Sequence, residues 1–452
     1  MNISQKKLAR RRGVSLRDPR RLCSVSLLAL CIAVCGQANV RGQETVASWS
    51  AFQNGGHLEV SLDALATRWS PDKNIAWISP IEGYGQSTPV IADGQIYVTS
   101  VSGAERQKYH LAAFGLSDGE KIWQRDFDNP TVAKNTPMTS RAAPSPIADS
   151  GGCIAFFEGG VVVSLNQDGE MRWSRNLVVD YGPIEARHGL SASLEQDEQR
   201  VFVWIERSDS PYLLALDKTS GENLWKVDGL GSTSWSSPRL IPTSQGDHLV
   251  CSASGKIVGI EPKTGRRLWE FTDIAANTSC TPVPAGLGRF LIGASDGRGE
   301  EASGAGARHN GVVEIKHDGE KYSASYRWNA QKATSSFGSP IVALDAAWIV
   351  NRTGVLYQLD LETGKRLAIN RTSAGGIWAT PLVAGKHLYL FGSKGTTAVI
   401  SLEDGKEVTA NRLWDSGNGD SASGGVLYAA AAVGPYLILR RGDRLYAVKN
   451  LP

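Results

Sequence analysis

Apolar and polar residues alternate in short runs along most of this chain, and the runs recur with one punctuation. An alternating stretch enters an acidic or polar turn that contains Gly, and Trp follows four residues after that Gly. Four copies are intact: Leu116 to Gly119 with Trp123, Leu165 to Gly169 with Trp173, Leu216 to Gly221 with Trp225, and Ile260 to Gly265 with Trp269. Three are degenerate: Ile315 to Gly319, Leu359 to Gly364 and Leu402 to Gly405. Period-2 alternation marks strands with one buried face. Asp or Asn with Gly tolerates the positive φ of tight turns between twisted strands. Each phrase therefore predicts a β-hairpin. The turn glycines recur every 41 to 54 residues, the length of one four-stranded propeller blade.

A second phrase precedes each hairpin: Ser87-Thr88-Pro89, Ala142-Ala143-Pro144, Ser236-Ser237-Pro238, Cys280-Thr281-Pro282, Gly338-Ser339-Pro340 and Ala379-Thr380-Pro381. Proline at the first residue of a strand costs no ladder hydrogen bond, so these mark where inner strands begin. The third blade lacks the proline and starts near Leu190 to Leu194. The last repeat begins around Gly424-Gly425 and reaches Leu445 to Val448 without a Gly or Trp phrase, while an orphan strand, Asn74 to Trp77, precedes the first full blade. A ring without exposed edges needs that N-terminal strand to complete the C-terminal blade. The expectation is an all-β fold, an eight-bladed propeller of four-stranded antiparallel blades over residues 69–452. Trp77, Trp123, Trp173, Trp225 and Trp269 are read as structural, filling seams between blades rather than forming a carbohydrate platform.

These phrases, and Asp217 to Trp225 and Pro262 to Trp269 above all, resemble the pyrroloquinoline-quinone-like (PQQ-like) repeat family, whose strand-Asp-x-x-Thr-Gly-x-x-x-Trp units build eight-bladed propellers. The resemblance covers roughly residues 69–450. The family takes in quinoprotein alcohol dehydrogenases and the propeller lipoprotein of the outer-membrane barrel-assembly machinery, so it implies the fold and leaves the function open.

The first 42 residues differ from the rest. A cationic stretch from Lys6 to Arg21 precedes the apolar run Leu22 to Cys35 and small residues near Gly36 to Ala38, which reads as a secretory signal peptide. Residues 43–68 are then an N-terminal extension. Cys31 and Cys35 each follow a bulky residue, which argues against a lipid anchor. Nine of the 48 Lys and Arg residues but one of the 45 Asp and Glu residues lie in this leader, so the remainder is net acidic by five despite the formal +3 of the whole chain. The basicity belongs to the export signal, and a nucleic-acid partner is not expected. An exported monomer without a transmembrane segment, periplasmic or extracellular, is expected. Past the leader only Cys153, Cys251 and Cys280 remain, read as buried free thiols.

Candidate chemistry is sparse, and no catalytic or metal-ligating residue is assigned. Gly293-Ala294-Ser295-Asp296-Gly297 has the letters of a hydrolase nucleophile elbow, but a Gly-rich polar stretch follows where that motif needs a helix. The stretch Asp296 to Gly311 is the longest departure from the repeat, and its Glu300, Glu301, Arg308 and His309 either reach a ligand or reflect loop drift. Three residues before the blade-opening prolines stand Gln86, Arg141, Trp235, Ser279, Phe337 and Trp378. If every inner strand starts at the same face, these ring one mouth of the channel, as a binding platform or as a plug.

The leading expectation is a non-catalytic scaffold that binds a protein, peptide or small ligand and uses no cofactor. The alternative is a PQQ- and calcium-dependent alcohol or sugar dehydrogenase, or a degenerate relative that retains the cofactor. A second alternative is an outer-membrane protein assembly factor.

Overall fold

The computed structural model describes residues 48–452, apart from 61–64, 132–138, 185, 187, 207–209, 232–234, 296–303, 331 and 415–424. The leader 1–42 lies outside the described residues. The strands gather into eight antiparallel blades in sequence order. Blade 1 contains Val90–Ala92, Gln95–Ser102, Lys108–Gly115 and Lys121–Asp128. Blades 2 to 7 follow at 147–176, 195–228, 239–271, 283–329, 341–371 and 382–412. Blade 8 takes its three inner strands, Leu427–Val433, Tyr436–Arg441 and Arg444–Val448, from the C-terminus. Its outer strand is Ile75–Pro80, which runs antiparallel to Arg444–Val448 with Ile78 opposite Tyr446 and Ser79 opposite Leu445. The ring is thus fastened by the chain's own first outer strand.

Position in the blade sets the pattern of each strand. Middle strands lie between neighbouring sheets and are buried on both faces, as in Gly152–Phe157 and His248–Ala253. Outer strands face solvent on one side and alternate, as in Asn223–Asp228 and Arg366–Arg371. The first hairpin turns through Asp93 and Gly94, with φ of 48° and 77°, the two-residue turn whose twist matches its strands.

The recurring turn phrase has a physical cause visible at Asp217. Its carboxylate accepts the Thr219 hydroxyl, which does most to hold its pKa below the usual range, and the backbone N–H groups of Ser220 and Thr219, both at 2.9 Å, which lower it further. The N–H of Gly221 returns to the Asp217 carbonyl at 2.8 Å with φ +73°, and a Cβ on Gly221 would lie 2.6 Å from the ring of Trp173 in the preceding blade. Glycine is needed there for the turn and for the close approach of that indole.

The same contact repeats around the ring. Trp77 lies against Gly119, Trp123 against Gly169, Trp225 against Gly265 and Trp328 against Gly364. Each indole N–H donates to a carbonyl of the next blade, Trp123 to Gln167 at 2.7 Å and Trp173 to Lys218 at 2.9 Å. Trp269 differs, since its N–H goes to His248 Nδ1 within its own blade at 3.0 Å while its ring stacks on Phe290 of blade 5. Between blades 6 and 7 an amide takes the place of the indole, with Asn370 Nδ2 donating to the Gly405 carbonyl at 2.9 Å.

Inside the ring the residue before each blade-opening proline is Ser or Thr, and these hydroxyls link neighbouring blades. The N–H of Thr88 donates to Ser145 Oγ, Ser145 to Ser193, Ser193 to Ser237, Ser237 to Thr281 and Thr281 to Ser339, at 2.8 to 3.0 Å, and Ser339 to Thr380 at 3.2 Å. This chain corrects one start point. Blade 2 opens at Ser145-Pro146, two residues beyond the Ala142-Ala143-Pro144 phrase, because Ser145 occupies the hydroxyl position and Ile147 begins the strand. In blade 3, Leu194 stands where the others have proline.

Residues 48–60 fill the channel. Trp49 exchanges backbone hydrogen bonds with Ile91 of blade 1, and the Ser50 carbonyl accepts Ala148 N of blade 2 at 2.9 Å. Gln53 Nε2 donates to Ser339 Oγ and Thr380 Oγ1, both at 2.9 Å. Arg239 of blade 4 donates to the Phe52 carbonyl at 3.0 Å. Glu59–Val60 then pairs in parallel with Leu382–Ala384 as a fifth strand inside blade 7. Beneath the segment, Arg239 Nη1 meets Glu195 at 2.9 Å with both side chains buried. Burial pushes the Glu195 carboxyl up and the Arg239 guanidinium down, although each opposes the other's shift.

Candidate functional site

The inner strands all start at one face, and the residues just before them form the rim of the channel mouth. Backbone and side chain tie Gln86 to Arg141, with Gln86 N donating to the Arg141 carbonyl at 3.1 Å and Arg141 N to Gln86 Oε1 at 2.8 Å. The Arg141 guanidinium lies 3.7 Å from the centre of the Tyr84 ring. Tyr84 and Tyr428 meet edge to face with their hydroxyls 2.9 Å apart, and burial raises the Tyr84 pKa. Trp378 packs edge-on against Tyr428 at 6.0 Å, and Phe337 against Trp378 at 5.4 Å. Arg352 closes the row 5.2 Å from the Phe337 ring centre. The result is an arc of four aromatic rings with an arginine at each end, on blades 1, 2, 6, 7 and 8. Stacking a guanidinium on an aromatic face suits recognition of carboxylates beside apolar side chains.

Of the six positions singled out in the sequence, Arg141, Phe337 and Trp378 lie in this arc, and Gln86 supports Arg141. Trp235 stands apart, 36% exposed, with its ring 5.9 Å from His188. Ser279 is half-buried beside Cys280, whose thiol its hydroxyl approaches. Tyr84, Tyr428 and Arg352 escaped the sequence reading. Blade 8 has no proline to mark Tyr428, and Arg352 sits in the outer turn of a hairpin, Asn351-Arg352-Thr353-Gly354, rather than in a strand start.

The rim closes over the N-terminal segment. Between Trp49, Phe52 and Gln53 below and Phe337, Trp378 and Tyr428 above lies a cavity of about 70 Å³. Ligand pockets for small molecules run about 300–1,000 Å³, so this space does not fit a tricyclic quinone. Calcium takes six to eight oxygen ligands, and among the described residues no group of three or more His, Cys, Asp or Glu is placed to hold a metal ion. At this mouth the residues present therefore do not fit PQQ with calcium. Cys153, Cys251 and Cys280 are separate, free and buried, and burial raises their thiols.

Larger hollows lie elsewhere on the two faces. Beside Trp378 a cleft of about 470 Å³ opens between the outer turns of blades 6 and 7, lined by Arg352, Thr353, Gly376, Ile377, Ser393 and Lys394. On the opposite face a depression of about 790 Å³ lies among the turns of blades 1 to 3, where Lys218 bonds Asp149 at 2.5 Å and Gln196 at 2.8 Å. Of the 296–311 stretch, Asp296 to Ser303, with Glu300 and Glu301, lie outside the described residues. Arg308 is exposed, and the buried Asn310 donates to the carbonyls of Ala294 and Ala333 at 2.9 Å, fixing the end of the loop.

This fold and rim define a PQQ-like β-propeller. A family model described as outer membrane protein assembly factor BamB matches residues 36–182 and 183–370, and the chain belongs to that family of PQQ-like propellers. The BamB of Shewanella oneidensis is 23% identical over 368 residues, 81% of this chain and 73% of its own length. The BamB of Yersinia pestis is 23% identical over 294 residues, 63% of this chain and 64% of its own. Among solved structures, BamB from Moraxella catarrhalis superposes with a TM-score of 0.56 at 11% identity, over 83% of this chain and 99% of its own. A europium-containing methanol dehydrogenase does so with 0.63 at 10% identity, over 88% and 90%. At such identities the two structures speak for the fold alone. No helix among the described residues is long and apolar enough to cross a membrane.

Proposed function

We propose that this chain is an exported, non-catalytic propeller that acts as an outer-membrane protein assembly factor, holding a partner protein against the rim of its channel mouth. The observation that carries this reading is the filled channel: residues 48–60 occupy the axis and are hydrogen-bonded to inner strands of blades 1, 2, 4, 6 and 7. What stays accessible at this mouth is a rim, and a rim suits a macromolecular partner better than an enclosed substrate. Relatives named as outer membrane protein assembly factors support the assembly role, and the cationic, then apolar, leader supports export to the periplasm.

Affinity purification of the tagged full chain from gently solubilised envelopes of its own host tests this. Co-purification of outer-membrane assembly proteins is expected. Their absence, together with dye-linked oxidation of alcohols or sugars when PQQ and calcium are added, would favour the dehydrogenase reading.

A further inference from the structure

Arg141 is the one cation among the six mouth positions singled out in the sequence, and its place is fixed before any partner arrives. Its N–H and its carbonyl are both bonded to Gln86, and the next N–H, that of Ala142, donates to Oε1 of the buried Glu158 at 3.0 Å. These bonds hold Ala142 at a φ of 46°, a left-handed conformation that alanine adopts only where its surroundings impose it. The guanidinium lies on the Tyr84 ring, and that ring is held in turn. Its hydroxyl meets that of Tyr428, and it packs on the bare backbone of Gly442, where it leaves no room for a Cβ. The Arg141 side chain is nevertheless short of partners. Its Nε is buried with no hydrogen-bond acceptor, and no carboxylate among the described residues pairs with the guanidinium. The carboxylates on the neighbouring elements are engaged elsewhere, Glu82 with Gln124, Glu158 with Ala142 and Arg106, and Asp443 with Arg441 and Arg444. What this arrangement lacks is an anion.

Resting on the proposed role as a partner-binding propeller, we propose that Arg141, stacked on Tyr84, receives a carboxylate of the partner protein. The planar fork of a guanidinium matches the two oxygens of a carboxylate, and stacking occupies its face while leaving the N–H groups in its plane for the anion. Because backbone and ring are already ordered, little conformational freedom is left to lose on contact. A free small carboxylate would gain little from one partly exposed ion pair, so the pair acts as an anchor within a larger protein interface, where arginine is enriched among the residues that matter most. Anionic lipid surfaces are recognised by clusters of Lys and Arg. Here the neighbouring Arg106 is already committed to the Ser140 carbonyl and Glu158, which leaves a single guanidinium for a single carboxylate.

The test uses the tagged full chain in its own host. Arg141→Lys places an amine at this position while keeping the charge, and a water-soluble carbodiimide joins an amine to a carboxylate only when the two are in contact. Purified from carbodiimide-treated envelopes, Arg141→Lys should carry an amide between position 141 and an Asp, Glu or C-terminal carboxylate of an outer-membrane assembly protein, read by mass spectrometry of the crosslinked peptides. Arg141→Gln, with neither amine nor charge, should give no such product. Without crosslinker it should lower recovery of the same assembly protein by about tenfold, with Arg141→Lys in between. An unchanged melting temperature verifies that both variants fold. An amide from position 141 to carboxylates of its own chain alone, no amide while the assembly protein still co-purifies, or undiminished recovery with Arg141→Gln would each overturn the proposal. So would flotation with phosphatidylglycerol vesicles of the wild type but not of Arg141→Gln, which would give the site to a lipid headgroup. Purification of the wild type separates the two claims. If it brings down assembly proteins but position 141 forms no amide with them, the Arg141 assignment falls and the assembly role stands; if it brings down none, the role itself falls.

Discussion

Trp123 is 7% exposed, covers Gly169 of the next blade and donates to the Gln167 carbonyl. Trp123→Ala removes both the seam filling and the hydrogen bond, and should cost about 3–5 kcal/mol in denaturant unfolding. Trp235→Ala, at an exposed rim position, should stay within about 0.5 kcal/mol. A second residue carries a pH signature. Glu206 is 4% exposed, its Oε1 has no hydrogen-bond partner among the described residues, and burial raises its carboxyl well above 4.5. A carboxyl raised in the folded state binds its proton more tightly there than in the unfolded chain. Its contribution is therefore fully present below about pH 4.5 and is lost as pH rises through the folded value. Glu206→Gln should leave the melting temperature nearly unchanged at pH 4 and raise it increasingly toward pH 8; a constant difference across that range would contradict the account. At this scale the sequence was most legible where spacing is fixed by contact. Trp123, Trp173 and Trp225 follow their glycines by four residues because both ends of the phrase touch neighbouring blades. Trp328 was hidden because the longer strands Gly311–His317 and Tyr322–Asn329 place it nine residues after Gly319.

Among the elements, the closing strand Ile75–Pro80 could be read from the sequence, since an unpaired outer strand at one end matched a blade that lacked one at the other. The channel filling was not legible. Residues 48–60 carry no repeat phrase, and their partners are scattered hydroxyls, carbonyls and one buried ion pair that only the closed ring brings together. The start of blade 2 was misplaced for a related reason: two prolines, Pro144 and Pro146, offer the same mark, and the hydroxyl of Ser145 that decides between them acts only in the ring. The Arg239–Glu195 pair gives a prediction at this scale. Glu195→Ala leaves a buried guanidinium without its counter-charge and should cost about 3–5 kcal/mol. It should also raise hydrogen exchange at Trp49, whose N–H donates to Ile91. Arg239→Met combined with Glu195→Leu should recover much of the stability, because no charge then remains buried. Failure of the double variant to recover would mean that the bonds from Arg239 to Phe52 and Gln53, rather than the charge, hold the segment.

For the whole molecule, the ring, its fastening strand and its filled axis leave two faces, and only one carries the arc from Arg141 to Arg352. The repeat made the ring readable and made half of the rim readable with it, because Phe337 and Trp378 precede marked strand starts. The other half, Tyr84, Tyr428 and Arg352, depends on how blades 6, 8 and 1 meet, which no local pattern encodes. The central claim is that partner binding belongs to this mouth. It is tested most directly by a photo-crosslinking amino acid placed at position 378 on the rim, and at position 118 in an outer turn on the opposite face, in living cells of the host. The account predicts a covalent adduct with an outer-membrane assembly protein from position 378 and none from position 118. Adducts from position 118 with none from position 378 would contradict it.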